Sequence, residues 1–334
     1  MPIERATVNQ KIQLGVESTA APGTIVAATK IFECFDWQIG VEADVNFYRG
    51  TGHKFPGTQE ENKEWSAMTI GGNLDYNGIP YLMSSIYGTI TPVAAGASTT
   101  AKKWIATPPL TGPITPQTYT IEQGDPTTRA HRFGYGLITK FGYKGTRKDF
   151  TVTADGVGQA LIDGVTLAST GLTTVPIAPV VSKHVNVYLD STSAALGTTQ
   201  LLKVLSVDFL SDMSYDLFYP LNRSQASFTS QVDVAPKTSI KLKVEADSFG
   251  MALLGYLRTG TLYYLRVDCV GNVIDVANSI NNGFQHDMAI AIGKPTKFAD
   301  DAGIFAIEWD CMIMEDATWG KAHTMTATNL ITAL

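Results

Sequence analysis

The sequence predicts a mainly β protein made of two tandem copies of one β-sandwich or half-barrel domain, each with a single short flanking α-helix. Three observations predict it. Stretches of strict apolar/polar alternation recur along the 334 residues, which is the period of a strand buried on one side. Thirty Gly and 15 Pro, with many Thr and Val, favour strands and turns over long helices. The second half also repeats the first. Glu17-Ser-Thr returns as Asp190-Ser-Thr and Gly23-Thr24 as Gly197-Thr198, while Phe35-Asp36-Trp37 aligns with Val207-Asp208-Phe209. Asp75, Gly78, Leu82 and Gly88 return at one constant offset as Asp247, Gly250, Leu254 and Gly260. Self-similarity held across separate windows signals a duplicated unit. The junction falls in the Thr-, Gly- and Pro-rich stretch from Thr170 to Ser182, so residues 1–172 form one copy and 173–334 the other.

The elements follow in order. From Trp37 to Tyr48, Trp37, Ile39, Val41, Ala43, Val45 and Phe47 share one face, and Gln38, Gly40, Glu42, Asp44 and Asn46 the other. That is a strand packed on a core and wet outside. Phe209 to Tyr219 repeats it, with Asp212, Ser214 and Asp216 on the polar side. A polar 49–65 connection (Arg49, His53, Lys54, Glu60, Glu61, Lys63, Glu64) leads to a second strand carrying Met68, Ile70 and Leu74. Its copy carries Ile240, Leu242, Val244 and Ala246 against Lys241, Lys243, Glu245 and Asp247. A short helix follows from Gly78 to Tyr87, stopped by Gly88, and its copy runs from Phe249 to Thr259, stopped by Gly260. The copies then differ in length, with an insertion at 89–117 in the first and one at 272–285, containing an Asn281-Asn-Gly turn signal, in the second. Further strands are expected over Thr118–Gln123, Arg132–Tyr143, Phe150–Ala154, Leu262–Val270, Met288–Ile292 and Ile304–Met314.

Composition narrows the function. With 44% hydrophobic and 17% charged residues, the chain reads as ordered and globular. A net charge of −6, split as −1 over residues 1–172 and −5 over 173–334, argues against tight binding to a nucleic-acid backbone. Cys34, Cys269 and Cys311 lack metal spacing and read as reduced core thiols. No secretory leader or run of 18 apolar residues is present, so the expected product is made in a cytoplasm and is soluble there.

Catalytic chemistry is not expected. The five histidines, His53, His131, His184, His286 and His323, are scattered without ligand spacing. Gly50-Thr-Gly-His-Lys54 lacks the spacing of a phosphate loop. Glu42 and Asp44 are alternate residues of one exposed strand face with no flanking base or nucleophile, so they read as a solvated acidic stripe. No enzyme, metal or cofactor is predicted.

The stretch GVESTAAPGT, Gly15 to Thr24, resembles the opening of the major tail tube proteins of long-tailed, siphovirus-type bacteriophages. So does the order strand, long loop, strand, short helix, strands in both halves. The resemblance implies a β-sandwich subunit whose inner sheets join between subunits into a continuous β-barrel ring. Family members with two fused tube domains form trimeric rings of pseudo-sixfold symmetry, which would give the duplication its reason. It implies a structural virion protein located in the tail, with DNA passing through the lumen unbound and no membrane contact by this subunit. Tape measure, tail terminator and distal tail proteins would be partners beside the chain itself. Under that reading Glu42, Asp44, Asp75, Asp212, Asp216, Glu245 and Asp247 would face the lumen and repel phosphates, with Lys241 and Lys243 as departures. The 49–65 loop and the N-terminal arm, Met1 to Leu14, would order against the next ring. The alternatives are another phage or secretion-system part, a baseplate or inner-tube protein, and a carbohydrate-binding double β-sandwich.

Overall fold

The computed structural model describes residues 7–127, 129–213, 215–222 and 225–334. Residues 1–6 of the N-terminal arm, and Ser214 of the second polar face, lie outside the described residues. The fold is mainly β, with two α-helices among the described residues. β1 (Lys11–Val16) and β2 (Lys30–Phe32) lead into a long hairpin, β3 (Asp36–Tyr48) and β4 (Thr58–Asn73). Helix α1 (Ile79–Tyr87) and the short strands β5 (Val93–Ala94) and β6 (Lys102–Ala106) come next. The first half closes with β7 (Tyr119–Asp125), β8 (Arg129–Thr146), β9 (Phe150–Gly158) and β10 (Ile162–Val165), and β11 (Thr173–Val175), just past the expected junction, pairs back with β2. The second half opens with β12 (Val185–Asp190) and β13 (Val204–Asp212), then a small hairpin, β14 (Asp216–Phe218) with β15 (Ser230–Val232). β16 (Lys237–Glu245), α2 (Ser248–Thr259), β17 (Tyr263–Asp275) and β18 (Ile280–Pro295) follow. β19 (Ala299–Asp301), β20 (Ile304–Ile313) and β21 (His323–Asn329) complete the chain.

Strand pairing runs in the same order in both halves. In the first it is β1–β7–β8–β9–β4–β3, all antiparallel, with β10 added to β8. In the second it is β12–β17–β18–β20–β16–β13, with β21 added to β18. The register agrees too, since Ile70 sits opposite Ala154 where Leu242 sits opposite Trp309. β8 and β18 each carry a register shift, at Ile138/Lys140 and at Ile292/Pro295. Such a bulge bends a strand so that its two ends serve different sheets. Between the sheets lie the buried Leu14, Ile70, Ile121 and Phe133 in one half, and Leu242, Leu265, Phe284 and Trp309 in the other.

Both helices start on an aspartate. Asp75 Oδ1 accepts the backbone N–H of Asn77 (2.8 Å) and Gly78 (2.9 Å). Asp247 Oδ1 accepts those of Phe249 (3.0 Å) and Gly250 (2.9 Å). Each carboxylate satisfies donors that a helix start otherwise leaves orphaned. A Cβ on Gly250 would lie 2.1 Å from the Glu245 carbonyl oxygen, so this position requires glycine. Helix α1 is buried along its whole length, whereas α2 buries only Gly250 and Leu253 and rests on the flank.

Two expectations about connections need correction. The 49–65 segment is not one loop, because the β3–β4 ladder continues to Tyr48 opposite Thr58. The connection is 49–57, and Glu60, Glu61, Lys63 and Glu64 belong to β4. Strands of a ribbon wet on both faces need no apolar alternation, so this part of the pattern reads as loop. The 272–285 segment is not an insertion but the end of the β17–β18 hairpin, with Asn281 to Gly283 inside β18. The 89–117 segment is structured, with β5 and β6 inside it. Its β6 pairs with β21 of the other half, and Trp104 Nε1 donates to Asn329 Oδ1 (3.2 Å) and the Ile331 carbonyl (3.1 Å).

Candidate assembly interface

The two halves are joined by strand pairing. The far end of β8 runs antiparallel to β13, from Thr146 opposite Ser206 to Lys140 opposite Asp212. At the centre Tyr143 is stacked between Phe150 (ring centroids 5.4 Å) and Phe209 (5.1 Å). All three rings are buried. On the outer face Lys140 meets Asp212 at 3.6 Å and Lys144 meets Asp208 at 3.5 Å. Exposed ion pairs contribute about 0–1 kcal/mol each, so the rings and the backbone ladder carry most of the stabilisation.

The strands equivalent to β8 and β13 end in open edges. Among the described residues β3 pairs only with β4, and the β18 end and β19 pair only with β20. Ala299 lies opposite Ala306 as Lys144 lies opposite Thr151, which puts Phe298 and Phe305 in the places of Tyr143 and Phe150. They stack in the same way, with centroids 4.9 Å apart and planes at 16°, but Phe298 is 50% exposed and Phe305 60%. The third ring is missing. On β3, Trp37 faces Ile70 and Ile39 faces Met68, as Val207 faces Leu242 and Phe209 faces Ile240. Ile39 therefore holds Phe209's place, and the sequence alignment of Phe35 with Val207 is two residues out of register.

Beyond Gly40 the β3–β4 hairpin projects as an arm with Val41, Phe47 and Phe55 exposed. Its counterpart between β13 and β16 folds back onto the first half. Phe228 is fully buried with its ring edge-on to Tyr135, and Gln159 Nε2 donates to the Phe228 carbonyl at 3.0 Å.

The acidic residues expected to share one face do not all do so. Glu42 and Asp44 are exposed on β3, and Asp212 stands on the outward side of β13. Glu245 is on β16, held by Lys203 at 2.9 Å. Asp216 belongs to β14, outside the main sheet. Asp75 and Asp247 are corrected outright. Asp75 is 1% exposed and serves as a helix cap, and Asp247 caps α2 while binding Lys203 at 2.9 Å. Alternation fails there because both lie past their strand's last paired residue. The assignment of Lys241 to the wet face stands, since Leu242 is buried, while Lys243 meets Asp301 at 2.6 Å. Arg49, His53 and Lys54 occupy the arm's tip.

The repeated E/D-S-T…G-T element is a carboxylate that closes its own loop. Glu17 accepts bonds from the N–H of Gly23 (2.7 Å) and Tyr135 (2.9 Å) and the hydroxyls of Thr118 (2.8 Å) and Thr120 (3.0 Å). Asp190 accepts from the N–H of Gly197 (2.8 Å), Thr198 (3.2 Å) and Thr199 (3.0 Å) and the Thr198 hydroxyl (2.8 Å). Burial pushes the Asp190 carboxyl up, but the donors of Thr199, Thr198 and Gly197 outweigh it and hold it below the usual range.

One constellation escapes sequence reasoning altogether. His286 and His323, far apart in sequence, meet in the interior across the β18–β21 ladder at 3.1 Å. Among the described residues no group of three His, Cys, Asp or Glu is placed to hold a metal, and the three cysteines are buried and unpaired. No protein-family model matches the chain, and no curated protein matches it.

Proposed function

We propose that this chain is a structural subunit that joins copies of itself edge to edge into closed rings, which stack into the tail tube of a long-tailed phage. The observation that carries the reading is the pair of open edges. The chain contains one finished β8–β13 join and exposes the two halves of a second, the edge leading into β19, where Phe298 stacks on Phe305 of β20, and β3 with Ile39. A surface that is one half of a join at each end assembles head to tail and closes when the rotation allows. Long open strand edges otherwise template aggregation, and ring closure removes them.

On this reading the shared pairing order records a tandem duplication. Three chains supply six similar domains, and the outward sheet face lines the channel. Acidic Glu42, Asp44, Asp208, Asp212 and Asp310 repel phosphate there, while Lys140 and Lys144 are already engaged by Asp212 and Asp208. The projecting β3–β4 arm, with apolar side chains wet on one face, reaches the next ring.

Negative-stain electron microscopy of the purified chain tests the proposal. Hollow tubes or stacked rings with three chains and six lobes per layer are expected. A persistent monomer at high protein concentration overturns it, and single rings that never stack point to a baseplate-type component.

A further inference from the structure

His286 and His323 have no part in the assembly account, yet with Tyr143 they form a chain behind the join between the halves. Tyr143 is the central ring of that join. Its hydroxyl is 2.9 Å from His286 Nδ1, and His286 Nε2 is 3.1 Å from His323 Nδ1. His286 is fully buried, and its ring stands edge-on to Phe209, the β13 member of the stack, with centroids 4.6 Å apart. Three groups from β8, β18 and β21 thus form a single line of polar atoms in an otherwise aromatic interior. The line ends at a groove of about 690 Å³ that His323 helps to line, with Asp212, Lys237, Lys241 and Asp310 on its rim.

The first half lacks this device. Leu14, Ile121 and Phe133 form one row across β1, β7 and β8, and Val187, Val267 and His286 form the matching row across β12, β17 and β18. Phe133 occupies the position of His286.

We propose that the Tyr143–His286–His323 chain is an acid-operated latch on the join between the two halves. At neutral pH two neutral imidazoles can pass hydrogen bonds along the line, each donating one N–H and accepting one. A second proton turns an imidazole into a double donor, so a His286–His323 bond between two charged rings becomes two opposed donors. The charge would also be buried against Phe209. The uncharged groups nearest the pair are the Tyr143 phenol of β8 and the Tyr87 phenol of α1, whose ring is edge-on to His323, while the Cys311 thiol of β20 lines the same groove as His323. Of the two carboxylates lining that groove, Asp212 is bound by Lys140 at 3.6 Å and Asp310 lies opposite Lys241 in the β16–β20 ladder. Asp287 follows His286 in β18 but is engaged by Arg266 at 2.6 Å. Burial, and for His286 also the neighbouring His323, hold both imidazoles below the usual range, His323 at about 4. Because the folded values are depressed, the stability is complete above the unfolded value of ~6.5 and is lost as pH falls toward the folded values.

The test uses the monomeric chain and so does not depend on tube formation. Hydrogen exchange, corrected for its intrinsic pH dependence, is followed from pH 7.5 to 4.5 together with the ring Cε1 signals of the five histidines. The expected result is that the amides of 140–146 and 206–212 lose protection first. The population of the opened join should rise about tenfold per pH unit for each imidazole that charges. Two of the five histidine signals should shift in the same step. His286→Phe, which installs the first half's own solution, with His323→Gln as a second variant, should flatten the acid limb. Equal acid loss in wild type and both variants, or two buried histidines that stay neutral while the join opens, overturns the proposal. If neither variant folds, the wild-type histidine signals decide alone.

Discussion

Phe298 lies flat on Phe305, centroids 4.9 Å apart, at the open end of the second half's sheet, where Tyr143 lies flat on Phe150 in the closed join of the first. In the join a third ring, Phe209, completes the stack from the neighbouring strand. The same local chemistry is therefore present once with its partner and once without.

Phe298→Asp separates assembly from folding. Phe298 is exposed in the subunit, so the urea-unfolding free energy should stay within about 0.5 kcal/mol of wild type. Tubes should vanish in electron micrographs. Phe209→Ala, which empties the closed join, should instead cost about 3–5 kcal/mol of monomer stability.

The arm is assigned to stacking. Replacing 49–57 by a two-residue Asn-Gly turn keeps the β3–β4 ladder, since Asn-Gly suits a tight hairpin. Rings should still form, and sedimentation should show them failing to lengthen into tubes. Unimpaired tubes would remove the arm from the account.

Glu17 and Asp190 close equivalent loops with unequal partners. Glu17→Gln turns an acceptor of four bonds into a group that must donate as well, and should cost about 1–3 kcal/mol in chemical denaturation. For Asp190→Asn the difference from wild type should depend on pH. Asp190 is held below the carboxylate range, so its contribution is present above the unfolded value of ~3.9 and lost as pH falls through the folded one. Unfolding midpoints measured from pH 7 to 3 should converge at the acid end.

The two helix caps should also differ. Asp75 is buried, and besides two helix N–H groups its Oδ2 accepts the Ala178 N–H at 2.5 Å, tying the linker to α1. Asp75→Ala should cost about 1–3 kcal/mol by leaving buried donors unpaired. Asp247→Ala on the flanking helix should lower the melting temperature less. Thermal scans of both variants check the order.

Much of the fold is legible in the sequence because burial on one side leaves a period of two. Trp37, Ile70, Leu242 and Trp309 all announce their strands that way. Both helices are legible through Gly88 and Gly260, at φ 103° and 65°. The arm is not, since Thr58 to Trp65 pairs without burying a face. Asp75 and Asp247 mislead because a carboxylate after a strand reads like one more polar residue on it, whereas the backbone turns and uses it as a cap. The candidate interface is the least legible part. Phe298 and Phe305 are two aromatics among many until the pairing sets them beside Tyr143 and Phe150. The His286–His323 contact needs the third dimension entirely.

The central claim, that β3 of one copy completes β19 of the next, has a direct test. Carrying over the β8–β13 register puts Ile39 opposite Phe298 and Gly40 opposite Lys297 of a neighbouring copy. A side chain on Gly40 meets open space, and the native cysteines are buried, so Gly40→Cys with Lys297→Cys places two reactive thiols without disturbing the fold. Under mild oxidation of assembled material, the account predicts disulfide-linked dimers and trimers on denaturing gels, with either single variant giving none of this ladder. Tubes that form normally but yield no such ladder would contradict it.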